Sequence, residues 1–301
     1  MGKIKTFLQN PQYFITSPAS KGWLDWMPDS LYLKLLYRVL TGEKCNLKHP
    51  VTFNEKLQWL KLHDRKPEYP DMVDKYEVRK IIERKIGVEY LIPCYGVYNS
   101  FDKIEFSKLP EQFVLKCTHD SGSVIICKDK TNFDMASAKQ SLDASMKRNY
   151  YSTYREWPYK FVKPRIIAEK FMIDESGDDL KDYKVMCFNG EAKIIEVHEN
   201  RFTDGKEHTQ TFYDRNWKKL NIVQEGLMYV REERTAPAQL NKILELSEIL
   251  AKDMYHARID WYIINDKIYF GEITFYDGSG FEAFPNREDN VFLGNLIKID
   301  R

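Results

Sequence analysis

The segment Ala257–Gly280 (ARIDWYIINDKIYFGEITFYDGSG) constrains the fold of this chain most strongly. It predicts a β-hairpin. Side chains two residues apart on a strand point to the same face, which gives one face that is charged and rich in oxygen: Arg258, Asp260, Glu272 and Thr274. The opposite positions are mostly apolar and are expected to lie on a core: Ile259, Trp261, Ile263, Tyr269, Ile273 and Phe275.

Two interpretations fit this charged face. Acidic side chains on a strand made for burial are unfavourable unless something binds them, and a hard cation such as Mg²⁺ prefers carboxylate oxygens and bound phosphates. Alternatively, the hairpin is an ordinary amphipathic one whose acids face water. Both interpretations remain open at this point.

Charge and cysteine usage exclude several classes of protein. The chain has 46 Lys and Arg against 45 Asp and Glu, which argues against general attraction to nucleic acid or to an anionic membrane. Its five scattered cysteines lack CxxC spacing and fit a reducing cytoplasm. No apolar run approaches membrane-spanning length, and the N-terminus lacks a signal-peptide core. We therefore predict a cytoplasmic protein without an integral membrane segment.

The order of elements predicts an α+β fold. The first 90 residues are helix-like, with a stripe of Leu31, Leu35, Leu36 and Val39 that ends at Gly42 and a capping box of Thr52 and Glu55. Short strands and helices then mix without strict alternation, which argues against a doubly wound sheet.

A strand lysine followed by a loop of small residues is the first candidate site. Lys116 interrupts an apolar strand, and the loop joins it to a second strand. A lysine in that setting needs an anionic partner, and backbone N–H groups of such a loop can surround phosphate oxygens. The predicted phosphate-binding residues of the loop are Thr118, His119, Ser121, Gly122 and Ser123. The alternative is an edge strand whose lysine reaches solvent.

Three further positions would either contact the nucleotide or be ordinary surface residues. Glu169, with Lys170, ends an apolar strand and would read an adenine ring. Lys184 interrupts another strand, and Arg201 follows a strand end, so either would contact a terminal phosphate. His119 beside Asp120 is interpreted as a loop contact rather than a general base, because no nucleophile elbow or paired-histidine zinc spacing accompanies it.

Read in order, these motifs resemble the ATP-grasp superfamily and specifically its TupA-like branch, named for teichuronopeptide biosynthesis. The resemblance covers roughly residues 45 to 290 and includes three further motifs: TFNEK at 52–56, Asp74-Lys75 with Val78-Arg79, and DYKVMCFNG at 182–190. It implies two α+β subdomains that clamp the nucleotide, preceded by a helical N-terminal region. The expected division is a helical region at 1–90, a small lid subdomain at 91–165 and a large subdomain with the metal site at 166–301.

The resemblance also implies a role for each site residue. Lys116 would contact the nucleotide phosphates beneath its loop. Glu169 and the backbone of Lys170 and Phe171 would hold adenine, and Asp182 would reach the ribose. The remaining roles are catalytic groups near the reacting phosphoryl or acyl oxygens (Lys184, Arg201 and Arg258) and ligands of Mg²⁺ (Asp260, Glu272 and Thr274).

One position departs from the family pattern. Many ATP-grasp enzymes have E-x-N where this chain has Glu272-Ile273-Thr274. Since a threonine hydroxyl is a weaker ligand than an amide carbonyl, the number of Mg²⁺ ions, one or two, stays open.

The implied reaction is ATP-dependent amide formation between a carboxylate and an amine through an acyl phosphate. The branch implies surface-polysaccharide synthesis (capsule, O-antigen or teichuronopeptide), with a uronic acid or sugar-linked carboxylate as substrate and association with a polysaccharide assembly system. Two rival functions stay open: a glycosyltransferase and a non-catalytic nucleotide- or carbohydrate-binding protein. The only candidate for a transferase D-x-D motif, Asp178-Asp179 with Asp182, is poor. The aromatic stretch 150–161 would either stack on sugars or pack as a lid helix.

Overall fold

The computed structural model describes residues 13–175, 180–200, 207–225, 228–229 and 233–299. The chain divides into two compact units. Unit 1 contains the described residues of Met1–Pro50, Gln58–Val78 and Pro93–Phe171. Unit 2 contains those of Val51–Leu57, Arg79–Ile92 and Met172–Arg301. The functional division near residues 90 and 165 stays a prediction.

The described ranges combine helices and strands, as the α+β prediction requires. Helices α1 to α9 span Tyr13–Ser20, Asp29–Thr41, Phe53–His63, Tyr69–Val73, Val78–Lys85, Met135–Met146, Tyr150–Tyr154, Leu240–Leu250 and Arg287–Leu296. Strands β1 to β11 span Cys94–Tyr98, Phe113–Cys117, Ile125–Cys127, Ile166–Lys170, Asp182–Phe188, Glu191–Glu199, Thr209–Asp214, Lys219–Leu220, Met228–Tyr229, His256–Ile264 and Lys267–Thr274.

Unit 1 is built on a four-stranded antiparallel sheet in the order β1-β4-β2-β3. The two central strands, β2 and β4, pair from Phe113 opposite Lys170 to Cys117 opposite Ile166. An apolar cluster covers the sheet and includes Leu142 of α6. Strand β2 is therefore an interior strand, so the edge-strand alternative for Lys116 is wrong.

Unit 2 contains a seven-stranded sheet in the order β11-β10-β5-β6-β7-β8, with β9 parallel to β7. Helix α8 packs on it through buried Ile243 and Leu244, and the indole of Trp261 donates to Ser247 Oγ at 2.8 Å. The order places β10 beside β5 although about 70 residues separate them along the chain. This long-range pairing brings the charged residues of β10 and β5 side by side.

The predicted capping box is confirmed. The backbone N–H of Glu55 donates to Thr52 Oγ1 at 3.2 Å, and the N–H of Thr52 donates to Glu55 Oε2 at 3.1 Å. These reciprocal bonds satisfy two donors that a helix start leaves free. The sequence alone therefore located the start of α3.

Helix α2 ends at Gly42, as predicted, but its buried face differs from the predicted one. Gly42 adopts a left-handed conformation with φ 74°, which suits glycine at a helix end. Leu31 and Leu35 are 56% and 41% exposed. The buried residues are instead Tyr32, Leu33, Leu36 and Tyr37. The Tyr32 hydroxyl also donates to the carbonyl of Thr153 at 2.7 Å, so the tyrosine face packs inward.

The aromatic stretch 150–161 is partly a packing element of unit 1. Tyr151 is buried, and its hydroxyl donates to Asp29 Oδ1 at 2.8 Å. The fully buried Arg155 guanidinium lies 4.1 Å from the ring centroid of Tyr32, a cation–π contact. Phe161, by contrast, is 60% exposed. The packing interpretation therefore fits the first half of the stretch.

Gly294 of α9 packs directly on the backbone of residues 51–53 and gives a testable prediction. A Cβ at this position would lie 2.7 Å from the Phe53 nitrogen and would also overlap the Val51 carbonyl. Gly294→Ala is therefore expected to lower the free energy of unfolding by about 1–3 kcal/mol, measured by urea denaturation. The exposed Asn295→Ala on the same helix is the control. A stabilised Gly294→Ala variant, the usual result inside a helix, would contradict this contact.

The structure bears on the state of the cysteines and on the presence of membrane-spanning helices. All five cysteines are free thiols. None of the helices in the described ranges is long and apolar enough to cross a membrane.

Candidate functional site

The charged face of the closing hairpin is present, and its two β10 residues are buried. Strands β10 and β11 pair antiparallel with Arg258 opposite Thr274. Arg258 and Asp260 are only 8% and 5% exposed, and β10 is an interior strand with β5 on its other edge. The Glu272 side chain is 39% exposed. The interpretation in which the acids simply face water is therefore wrong for Asp260.

A β-bulge changes the alternation within the hairpin. The register gains one residue of β11 between Ile259 and Trp261, so that Gly271 and Glu272 both lie opposite Asp260. Beyond the bulge, the buried positions differ from the predicted ones: Ile268 and Phe270 are buried, whereas Ile263 and Tyr269 are only partly buried.

The guanidinium of Arg258 contacts all three predicted Mg²⁺ ligands. Its Nη2 lies 2.9 Å from Asp260 Oδ2, 3.3 Å from Thr274 Oγ1 and 3.6 Å from Glu272 Oε1. Its Nη1 donates to Asp277 Oδ1 at 2.6 Å. Oxygens from two strands thus converge on one cationic nitrogen.

This donor set has the chemistry that Mg²⁺ requires, since carboxylate and hydroxyl oxygens are hard ligands. Within the described ranges, no group of three or more His, Cys, Asp or Glu side chains is placed to hold a metal ion. Asp260 and Glu272 would therefore need Thr274, waters and substrate phosphates to complete the coordination, and Mg²⁺ commonly keeps several waters. The metal assignment stays a prediction.

A row of charged residues crosses three neighbouring strands. Asp260 lies opposite Lys184, and Lys184 lies opposite Glu196. Lys184 Nζ is 3.2 Å from Asp260 Oδ2, and all three residues are buried. Burial raises the pKa of Asp260, but Arg258 and Lys184 outweigh burial and the net shift is downward. The two cations therefore keep this carboxylate ionised.

Asp182 begins β5 on the same face, where it lies opposite His198 of β6. It is 4% exposed. Its ribose contact stays a prediction.

Two hypotheses concern residues outside the described ranges. Arg201, predicted to act near the γ-phosphate, is one of them. Asp178 and Asp179, the candidate transferase motif, are the others.

In unit 1, Lys116 is paired with Glu169 on the neighbouring strand. The Nζ–Oε2 distance is 2.6 Å, and the side chains are 17% and 7% exposed. This is the anionic partner that a lysine in an apolar strand requires. The structure thus joins two residues that the sequence assigned separately to phosphate and adenine.

The loop after Lys116 is organised by its own buried polar groups. Ser123 Oγ accepts from the Cys117 N–H at 2.9 Å and donates to Asp120 Oδ1 at 2.5 Å. Lys75 Nζ donates to the Asp120 carbonyl at 2.6 Å. Gly122 has φ 87°, a left-handed conformation that favours glycine. Of the predicted phosphate contacts, Ser121 and Gly122 are exposed, whereas Thr118, His119 and Ser123 are buried.

His119 lies against the end of helix α6. Its Nε2 is 3.2 Å from the Ser145 carbonyl, and the residue is 3% exposed. Burial lowers its pKa, although Asp120 opposes the shift. The interpretation of His119 as a loop contact rather than a general base stays a prediction, as does its phosphate contact.

Lys170 and Phe171 line a cavity of about 430 Å³ at the end of β4, within unit 1. The Lys170 N–H already donates to the Pro93 carbonyl at 2.9 Å. The cavity wall also contains Tyr95, Pro110, Glu111, Gln112, Lys128 and Asp129. The adenine contact stays a prediction.

Sequence reasoning missed Asp277, which binds Arg258, and His256, which binds Asp277. Asp277 binds the guanidinium and also lies 2.8 Å from His256 Nε2, while His256 Nδ1 lies 3.0 Å from the Cys187 carbonyl. His256 thus links the Asp277 carboxylate to the backbone of β5. Asp277 followed the hairpin in a glycine-rich turn, and its position gave no sign of burial.

A chain of buried polar side chains across β6 and β7 was also missed. His198 Nδ1 lies 2.7 Å from His208 Nε2, and its Nε2 contacts Glu196 Oε1. Gln210 Nε2 donates to Glu196 Oε1 and to Gln224 Oε1, each at 2.5 Å. Gln224 Nε2 in turn donates to Glu282 Oε2. Glu196 and His198 interrupt an apolar strand two residues apart, and that spacing was the available signal.

Glu196 and Glu282 have opposite pKa shifts. Burial raises the pKa of Glu196, but His198, Lys184 and Arg258 outweigh it, and the net shift is downward. At Glu282, burial raises the pKa, Glu196 and Asp277 raise it further, and the value is about 8. Glu282 is therefore an acid that holds its proton near neutral pH.

This shift predicts a pH-dependent stability change. The folded pKa of Glu282 is about 8, above the ordinary value of 4.5, so unfolding releases a proton between those pH values and stability falls as pH rises. Glu282→Gln removes this effect and is expected to raise Tm at pH 8 relative to wild type, with little difference at pH 4. Thermal melts across this range measure it. An equal Tm difference at every pH would contradict the shift.

Comparison with protein-family models matches residues 55–298 to the family described as TupA-like ATPgrasp. A search of curated proteins finds no match.

Solved structures similar to this chain include D-alanine–D-alanine ligases. A ligase from Bacillus anthracis complexed with ATP is 18% identical, with a TM-score of 0.39, 67% of this chain covered and 54% of that chain. D-alanyl-alanine synthetase A from Vibrio cholerae is 12% identical, with a TM-score of 0.43 and coverages of 81% and 72%. The chain thus spans just over half the length of the Bacillus anthracis protein.

Proposed function

Because this chain belongs to the TupA-like ATP-grasp family, we propose that it is an ATP-dependent carboxylate–amine ligase that forms an amide bond. The observation that carries the proposal is the convergence of Asp260, Glu272 and Thr274 on Arg258, with Lys184 beside them. Phosphoryl transfer depends on positioning and on charge stabilisation rather than on a side-chain nucleophile. A buried face that combines oxygen ligands with fixed cations suits that requirement.

The proposed reaction has two steps. A carboxylate oxygen of the first substrate attacks the γ-phosphorus of ATP, the bond from that phosphorus to the bridging oxygen breaks, and ADP leaves. The amine then attacks the acyl carbon, the C–N bond forms, inorganic phosphate leaves and the nitrogen gives up a proton. No redox partner is needed.

The residues of unit 2 have distinct proposed roles. Lys184 and Arg258 stabilise negative charge on the transferring group and on the acyl oxygens. Asp260, Glu272 and Thr274 would hold Mg²⁺, which when bound offsets phosphate charge. These cations and acids are buried together, apart from the partly exposed Glu272, so their mutual orientation is fixed before substrate arrives.

The residues of unit 1 and Asp182 are proposed to bind the nucleotide itself. Lys116 and the backbone N–H groups of the exposed residues Ser121 and Gly122 would contact phosphate oxygens. Glu169 orients Lys116 through the 2.6 Å ion pair and, with Lys170 and Phe171, would contact adenine. Asp182 would accept from a ribose hydroxyl.

The substrate class extends the proposal by family analogy. The carboxylate would be a uronic acid or a sugar-linked acid of a surface polysaccharide, and the amine an amino acid or a related amine. We place the reaction in the cytoplasm, where ATP is available and where five free thiols persist.

The test is ADP release in the presence of ATP and Mg²⁺, with a panel of uronic acids and amino acids. ADP release together with an amide product identified by mass spectrometry is expected for wild type, and both should be lost in Glu272→Ala. Glu245→Ala, whose side chain is 58% exposed on α8, is the matched control. Turnover of a nucleotide sugar in the absence of ATP would overturn the ligase assignment.

A further inference from the structure

Glu282 differs in its side-chain contacts from the neighbouring acids Asp260, Asp277 and Glu196. It follows the turn Asp277–Gly280, and Gln224 donates to its Oε2. A Cβ on Gly278, which has φ 49°, would overlap the Glu282 side chain. The glycine therefore leaves the space that this carboxyl group occupies. Glu282 is only partly buried, so part of the residue lies at the protein surface.

The neighbouring acids are each paired with a cationic or basic group. Asp260 is bound by Arg258 and Lys184. Asp277 is bound by Arg258 and His256, and Glu196 by His198. Within the described ranges, Glu282 makes no ion pair, and its side-chain partner is the neutral amide of Gln224. Its raised pKa, about 8, has the same origin, because burial and nearby acids act on it without a cation in contact.

An unsatisfied acceptor, Asn54 Oδ1, lies next to Glu282. Asn54 is 2% exposed, and its Nδ2 donates to the Glu282 carbonyl at 2.7 Å. That bond fixes the orientation of the amide, and its Oδ1 is buried without a hydrogen-bond partner. A buried acceptor left without a donor is unfavourable by about 1–3 kcal/mol. Within the described ranges, Glu282 therefore has no cation in contact with it, and Asn54 Oδ1 has no N–H donor.

We propose that Glu282, together with Asn54 Oδ1, forms a subsite for the ammonium group of the amine substrate. An ammonium group supplies both a positive charge and three donors. A divalent cation would want more carboxylate oxygens than this place offers. The assignment rests on the proposed ligase function and adds that the amine arrives as a cation held beside the charged row. The ammonium passes one proton to the Glu282 carboxylate, and the neutral amine then attacks the acyl carbon.

The subsite predicts a proton count on binding. At pH 7 free Glu282 is largely protonated, since its pKa is about 8. An arriving ammonium favours the ionised carboxylate, so binding should release close to one proton. A neutral ligand of the same size gives no such release.

The experiment is isothermal titration calorimetry at pH 7 in two buffers of different ionisation enthalpy, with ethanolamine as the cationic probe and ethylene glycol as the neutral one. Wild type is expected to bind ethanolamine at least tenfold more tightly than ethylene glycol and to release close to one proton. In Glu282→Gln, both the preference and the proton release should disappear. Glu288→Gln, the same substitution at an exposed position, should behave as wild type.

Two results would overturn the subsite: equal binding of the two probes by wild type, or unchanged proton release in Glu282→Gln. Glutamine copies the protonated acid, and a thermal melt at pH 4 confirms folding of the variant. The ligase function fails separately, if no carboxylate supports ADP release while ethanolamine binding still depends on Glu282. If ADP and amide form with wild type but the two probes bind alike, the ligase stands and the subsite is wrong.

Discussion

Asp260→Asn is expected to lower the rate of ADP release by roughly 10²-fold or more, the size of effect seen when one preorganised electrostatic group is removed from an active site. Asp260 is the buried carboxylate of the proposed metal site, and it balances both Arg258 and Lys184. Asparagine keeps the shape and removes the charge. The remaining cations would then repel Mg²⁺, so the concentration of Mg²⁺ needed for half-maximal rate should also rise.

Initial rates across a Mg²⁺ titration test this prediction. Asp266→Asn is the matched control, because Asp266 is exposed in the hairpin turn with φ 61°, a conformation that asparagine tolerates. An Asp260→Asn enzyme with wild-type rate and unchanged Mg²⁺ dependence would show that the oxygen cluster is structural.

Lys116→Met is expected to weaken ATP binding and to destabilise unit 1 at the same time. Removing the lysine breaks the 2.6 Å ion pair with Glu169, whose side chain is 7% exposed, and breaking such a buried pair lowers the free energy of unfolding by about 3 kcal/mol. The double variant Lys116→Met with Glu169→Gln should recover most of the stability but not the ATP affinity. The two effects are therefore separable.

Urea unfolding and calorimetric titration with ATP measure the two quantities. Lys108→Met, at a lysine whose side chain is 72% exposed, is the control and should change neither. Recovery of ATP affinity in the double variant would mean that Lys116 does not contact the nucleotide.

Local signals in the sequence predicted elements whose stability is itself local. The Thr52 capping box, the glycine end of α2 and the closing hairpin all depend on residues a few positions apart. The buried face of α2 was harder to predict, because the helix has two stripes of apolar residues. Tertiary packing of Tyr32 determines which stripe is buried. The β-bulge opposite Asp260 could not be predicted, because the alternation of apolar and polar residues does not encode one additional residue.

The sequence predicted the site residues of each strand separately, but not how the strands lie beside one another. Arg258, Asp260 and Lys184 each interrupted an apolar run and were identified on that ground. Their alignment with Glu196 depends on the lateral order of β10, β5 and β6, which joins distant parts of the sequence. Glu282 lay outside the strand patterns altogether, and Asn54 was included only as part of the TFNEK motif, without a role of its own.

The contact between the start of α3 and α9 also bears on the order of synthesis and folding. Lys56 Nζ donates to the carbonyls of Gly294 and Ile297 at 2.7 and 2.8 Å, across a sequence separation of about 240 residues. Synthesis must therefore reach Ile297 before unit 2 can close, whereas unit 1 ends at Phe171. Pairing over such a separation slows folding, and the exposed strands of the unfinished sheet are open to aggregation in the meantime.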